Sequence, residues 1–139
     1  NANLEAIYGK SVLDSALHFS ATEFASCIML SSNDGYHLQH LSNLAQLGPI
    51  NASEVADFNG DGHLDVIAIG NNYGAEIETV RYDGNRGVVL LGDGSGNFQA
   101  LHPSESGFFV DSDAKDMIRI DNYFIISSNN DSLKVFSLK

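Results

Sequence analysis

The sequence predicts an all-β fold with a short helical segment at its start, and three observations carry that expectation. Beyond residue 20 the apolar residues come in short runs rich in β-branched types, such as Val66-Ile-Ala-Ile69 and Val88-Val-Leu-Leu91. Turn-forming clusters punctuate these runs at Ser32-Asn33-Asp34-Gly35, at Gly92-Asp93-Gly94-Ser95-Gly96 and at Asn129-Asn130-Asp131-Ser132. Helical spacing is confined to the first twenty residues, where Leu4, Ile7 and Tyr8 recur, followed by Leu13, Ala16 and Leu17.

Taken in order, residues 4–20 form a helical lead-in, which Gly9 breaks before a second turn or helix begins near Ser11. Its apolar face is expected to pack on a sheet rather than a membrane, since the opposite face is not basic. Residues 24–31 and 36–41 flank the first turn cluster and read as a hairpin. Strands at 50–57 and 65–70 flank an acidic loop. A second hairpin joins 87–91 to 97–101, and three strands near 118–121, 123–127 and 133–138 complete the chain.

The acidic loop is Asp57-Phe58-Asn59-Gly60-Asp61-Gly62-His63-Leu64-Asp65. It sets oxygen-bearing side chains at its first, third, fifth and ninth positions, with a glycine at the sixth. A hard cation such as Ca2+ takes six to eight oxygen ligands in flexible geometry, and alternate residues of a tight loop supply them. Asp57, Asn59 and Asp61 offer side-chain oxygens, His63 its backbone carbonyl and Asp65 a carboxylate. An EF-hand loop runs on to a glutamate at position 12, flanked by helices. Here that position is Ala68, inside a strand-like run, so the loop joins two strands. The plainer alternative is an Asx-rich turn without metal. Three carboxylates within nine residues repel one another unless a cation lies among them, which favours calcium.

Val55 to Gly70, carrying that loop, and Gly87 to Phe98 together resemble one FG-GAP/VCBS-type repeat, a blade of an integrin-like β-propeller. The intervening Tyr73-Gly-Ala-Glu76-Ile-Glu78-Thr-Val-Arg81-Tyr82-Asp83 is similar to the terminal repeat of large bacterial VCBS-repeat surface proteins, as are Glu105 to Phe109 and Asn129 to Phe136. The resemblance implies a calcium-stabilised propeller module of a secreted or surface-attached protein, associated with adhesion and contact with a protein or glycan. It implies an extracellular, cell-surface or periplasmic setting and no enzymatic activity.

Strand counting then describes a partial propeller of about two and a half four-stranded blades in a single domain. Residues 24–41 would be the outer hairpin of one blade, 50–101 a complete blade and 113–138 a last partial blade. Propellers typically close with at least four blades. The expectation is therefore a C-terminal segment of a longer propeller, whose open strand edges are covered by self-association, by the remaining blades or by the N-terminal helix.

The connection over 71–86 is long for a hairpin, and long ordered loops tend to carry function. Tyr73, Glu76, Glu78, Arg81 and Tyr82 form a candidate ligand-contact surface there. In an extended segment Glu76 and Glu78 would point the same way, roughly 7 Å apart, which is the basis of an alternative reading as a carbohydrate-active enzyme or its accessory domain. Ion pairing with Arg81 or Arg86 is the structural expectation. Gly92 to Gly96 lacks the Gly-Lys-Ser/Thr ending of a phosphate loop and reads as a turn, with Asp93 a conceivable extra metal oxygen. Asp111-Ser-Asp113-Ala-Lys-Asp116 resembles a decayed copy of that loop without its central Asp-Gly, and reads as a solvated strand entry. The five histidines show no zinc spacing, and no nucleophile elbow occurs.

Seven basic against 18 acidic residues give a net charge of −11, which disfavours nucleic acid and anionic lipid. No apolar run approaches the ~18 residues of a membrane span, so membrane insertion is not expected. Cys27 is the sole cysteine, which excludes an intrachain disulfide and reads as a buried, inert thiol.

Overall fold

The computed structural model describes residues 2–138. Among the described residues nine strands form three antiparallel sheets: β1 (Cys27–Ser32) with β2 (Gly35–His40); β3 (Ala52–Ala56), β4 (Asp65–Ile69), β5 (Val88–Gly92) and β6 (Phe98–Leu101) in that order; and β7 (Ala114–Ile120), β8 (Tyr123–Ser128) and β9 (Lys134–Ser137) in that order. The all-β architecture with few short helices agrees with the expected partial propeller.

The second sheet is the middle layer, and its sequence explains why. Every residue of β4 is buried, because alternate side chains enter two different cores. Ile67 and Ile69, with Val89 of β5, pack against Ala114, Met117, Phe124 and Ile126 of the third sheet and against Phe108 and Val110 of the segment before it. Val66 and Ala68, with Val88 and Leu90, face the other way onto Ile28 of the first sheet and onto Ala45. Ala45 lies in a 3-10 turn, Asn43–Gln46. A strand covered on both faces reads as a continuous apolar run, which is the form of Val66–Ile69.

Three parts of the chain depart from expectation. Helices α1 (Leu4–Tyr8) and α2 (Lys10–Ser15) flank Gly9 at φ +81°, but bury no residue, so the expected packing of this segment on a sheet does not occur. Such short helices bring too little apolar surface together to dock firmly. Strand β1 starts at Cys27 rather than residue 24, leaving Phe24 86% exposed. Strand β7 starts at Ala114 rather than near 118, because a bulge between Ala114 and Asp116 breaks the alternation on which the expectation rested.

A further helical turn, α3 (Pro103–Ser106), was not expected. Glu105 and His102 form a capping box around Pro103, with the His102 side chain in the place usually held by Ser, Thr, Asp or Asn.

Candidate metal centre and contact loop

The loop between β3 and β4 folds around its own carboxylates. Asp57 Oδ1 accepts the N–H of Gly60 at 2.7 Å, and Oδ2 that of Gly62 at 2.9 Å. Both glycines lie at positive φ, +81° and +89°, where a Cβ would be strained. Asn59 Oδ1 accepts from Asp61 N–H at 2.9 Å, and Asp61 Oδ1 from His63 N–H at 2.8 Å. The Asn59 amide also donates to Asp61 Oδ2 at 2.9 Å. The His63 N–H and the Asn59 amide together hold the Asp61 carboxyl below its usual pKa.

Asp65 closes the loop from inside the blade. It is fully buried, and its two oxygens accept the N–H groups of Phe58 and Gly92, each at 2.9 Å. The former bond ties the loop to itself and the latter ties it to β5. Phe58 anchors the loop from the other side, its ring 5.4 Å edge-on from Phe124 in the core. The His63 ring lies so close to the 92–96 hairpin that a Cβ on Gly94 would fall 2.3 Å from Nδ1. Asn59, Asp61 and His63 thus face Asp93 and Asn97 across an open cleft of about 530 Å³.

The donor chemistry fits a hard cation. All the side-chain donors assigned to the loop are oxygens, and no basic side chain pairs with Asp57, Asp61 or Asp65 among the described residues. Each hydrogen-bonded carboxylate oxygen keeps a second lone-pair direction. The side chains, however, are turned to backbone N–H groups. Among the described residues no three Asp, Glu, His or Cys side chains gather at one point in metal-binding geometry.

Residues 51–91, spanning β3, this loop, β4 and most of β5, match the family model of the FG-GAP repeat. Comparison with curated proteins and with solved structures gave no match. A repeat of this family marks a β-propeller-type module, in keeping with the stacked four-stranded blade.

Within the matched FG-GAP region, the 71–86 loop is closed at its base by a two-bond bridge between Asn72 and Tyr82. Tyr73 donates its hydroxyl to Asp111 O, and its ring lies 4.1 Å beneath the Arg81 guanidinium. The expected pairing of Glu76 or Glu78 with an arginine is not formed. Arg81 instead holds Asp83 at 2.9 Å, and Arg86 lies over the Phe109 ring. Glu76 opens a turn closed by Thr79 N–H on Glu76 O, and Glu78 lies within it, so they do not share one extended segment.

Outside the repeat, Asp113 is buried and bonded to Lys115 at 2.7 Å. Burial opposes its charge, and the Lys115 ammonium with the Tyr73 N–H outweighs that and keeps its pKa low. Asp93 caps its own turn by accepting from Ser95 and Asn97. Cys27 is half-buried rather than buried and donates to Ala25 O; desolvation, then the charge of Glu23, pushes its thiol up, away from reactivity.

The sequence reading missed a set of asparagines. Asn71 is fully buried and links Asn85 to Ser112 O, while Asn51 donates to Asn71 O and Ala114 O. These bonds join the second and third sheets. Asn71 and Asn85 each follow a glycine and look like loop residues in sequence, and only the packing of the two sheets turns these amides inward.

Proposed function

We propose that the chain is a calcium-binding, non-enzymatic propeller-type module of a secreted or surface-attached protein, used for contact with a protein or glycan partner. The carrying observation is the Asp57–Asp65 loop, which sets three carboxylates within nine residues of the stretch matched by the FG-GAP model, with no basic side chain paired to any of them among the described residues. Asp57, Asn59, Asp61 and Asp65 through their side chains and His63 through its carbonyl would hold the ion. Bound Ca2+ supplies charge neutralisation of the carboxylates and a tie between β3 and β4. Contact with a partner is assigned to the exposed 71–86 loop, where Ile77 and Val80 project into solvent.

Thermal unfolding in calcium, in excess EDTA and in magnesium tests the metal reading. With calcium about a hundredfold above Kd the expected rise in Tm is about 5 °C or more. Asp61→Ala should remove that rise. An identical melt in calcium and chelator overturns the proposal. Turnover of any glycan in a polysaccharide panel, lost in Glu76→Gln, would overturn the non-enzymatic assignment.

A further inference from the structure

A cleft of about 630 Å³ opens between the lead-in to β1, the turn before β3 and the base of the 71–86 loop. Its volume lies within the roughly 300–1,000 Å³ of small-molecule sites. Both walls are held by hydrogen bonds of their own. On one side the Gln46 side-chain oxygen accepts from Ser26 N–H at 2.7 Å, and its nitrogen donates to Ser26 O at 2.8 Å and to Leu41 O at 3.1 Å. On the other, Asn72 and Tyr82 exchange two backbone bonds, at 2.8 and 3.0 Å. A cleft fixed on both sides takes up a ligand with little loss of its own conformational freedom.

The polar groups left over along the lining include both donors and acceptors. Asn51 donates both amide protons, to Asn71 O and Ala114 O, so its Oδ1 remains as an acceptor. Asn72 accepts Gly74 N–H through Oδ1, so its amide nitrogen remains as a donor. The hydroxyls of Ser26 and Tyr82 make no hydrogen bond among the described residues, and each both gives and accepts. The rings of Phe24 and Tyr82 line the same cleft, the two residues 86% and 50% exposed. A pyranose has the matching make-up, with apolar C–H faces that lie against aromatic rings and a girdle of hydroxyls that give and accept. Lys115, the one basic side chain on the lining, is already paired with Asp113 at 2.7 Å, and the chain carries a net charge of −11, so an anionic sugar is disfavoured. No carboxylate lines the cleft among the described residues, so the acid–base pair of a glycosidase is missing there.

We propose that this cleft binds a neutral saccharide, stacked on Phe24 and Tyr82 with its hydroxyls on Ser26, Asn51 and Asn72, and holds it without cleaving it. The inference rests on the partner-contact reading, to which it adds a class of partner and a place, and it needs no calcium at the Asp57–Asp65 loop.

Cellotetraose, maltotetraose and triacetylchitotriose, with a heparin tetrasaccharide as the anionic control, are titrated into the ¹⁵N-labelled protein in calcium and in EDTA. Saturable amide shifts at Ser26, Gly48, Asn72 and Tyr82 are expected with at least one neutral sugar, alike in both buffers and with the sugar recovered intact. Phe24→Ala removes one exposed ring, and Asn72→Asp keeps an acceptor for Gly74 N–H while removing the donor. Each variant should keep its Tm and bind at least roughly tenfold more weakly. Shifts that both variants retain overturn the proposal, as does heparin binding as tight as that of the neutral sugars. Absence of shifts at these four amides up to roughly 10 mM of every neutral sugar also overturns it. That last result leaves the calcium reading and the tip of the 71–86 loop untouched, since Ile77 and Val80 lie outside the cleft.

Discussion

Asp65 and Asn71 carry more of the stability than their polar character suggests. Asp65 satisfies two N–H groups, from Phe58 and Gly92, in a place without solvent. Asp65→Ala would leave both unpaired, and the expected loss is about 2–4 kcal/mol in chemical denaturation even without calcium. Asp65→Asn retains one acceptor oxygen and should lose less. Asn71→Ala abandons its bonds to Asn85 and Ser112 in a fully buried site, with an expected cost of about 2–4 kcal/mol read in the same way. The oxygen-rich turn from Asp57 to Asp65 was legible as an inter-strand loop, because a repeated oxygen pattern with a central glycine is a local property. Asn71 was not legible, because its role depends on Ser112, 41 positions away.

At the level of elements, the loop between β3 and β4 is held by its ends and by Phe58, whereas α1 and α2 are held by nothing they bury. Removing residues 2–15 should therefore change stability by no more than about 0.5 kcal/mol, measured by urea midpoint. Phe124→Ala lies at the other extreme. Its ring is buried between Phe58 and Phe108, and truncation should cost about 3–5 kcal/mol. The strands of the middle sheet were readable because each is a short run of Val, Ile and Leu bounded by turns. The start of β7 was obscured by its bulge, and α3 by a histidine acting as its cap.

Over the whole molecule, acidity and layering act together. Asp61, Asp93, Asp113 and Asp131 all have pKa values held below the ordinary carboxylate value in the folded state. Their contribution is full above the unfolded value of about 4 and is lost as pH falls through the lowered folded values. Urea midpoints should be steady above that pH and drop on further acidification; a midpoint that stays flat well below about pH 4 would refute the assignment. The sequence by itself determined the class of fold, the complete four-stranded unit and the oxygen-rich loop, because alternation, turn chemistry and ligand spacing are written within a few neighbouring residues. Only the tertiary structure decided that both faces of the middle sheet are covered, that the N-terminal helices stay undocked, that asparagines join two sheets and that Phe24 and Tyr82 line one cleft. Each of those depends on which distant surfaces meet, and burial between layers is a property of pairs of segments that no single stretch of chain records.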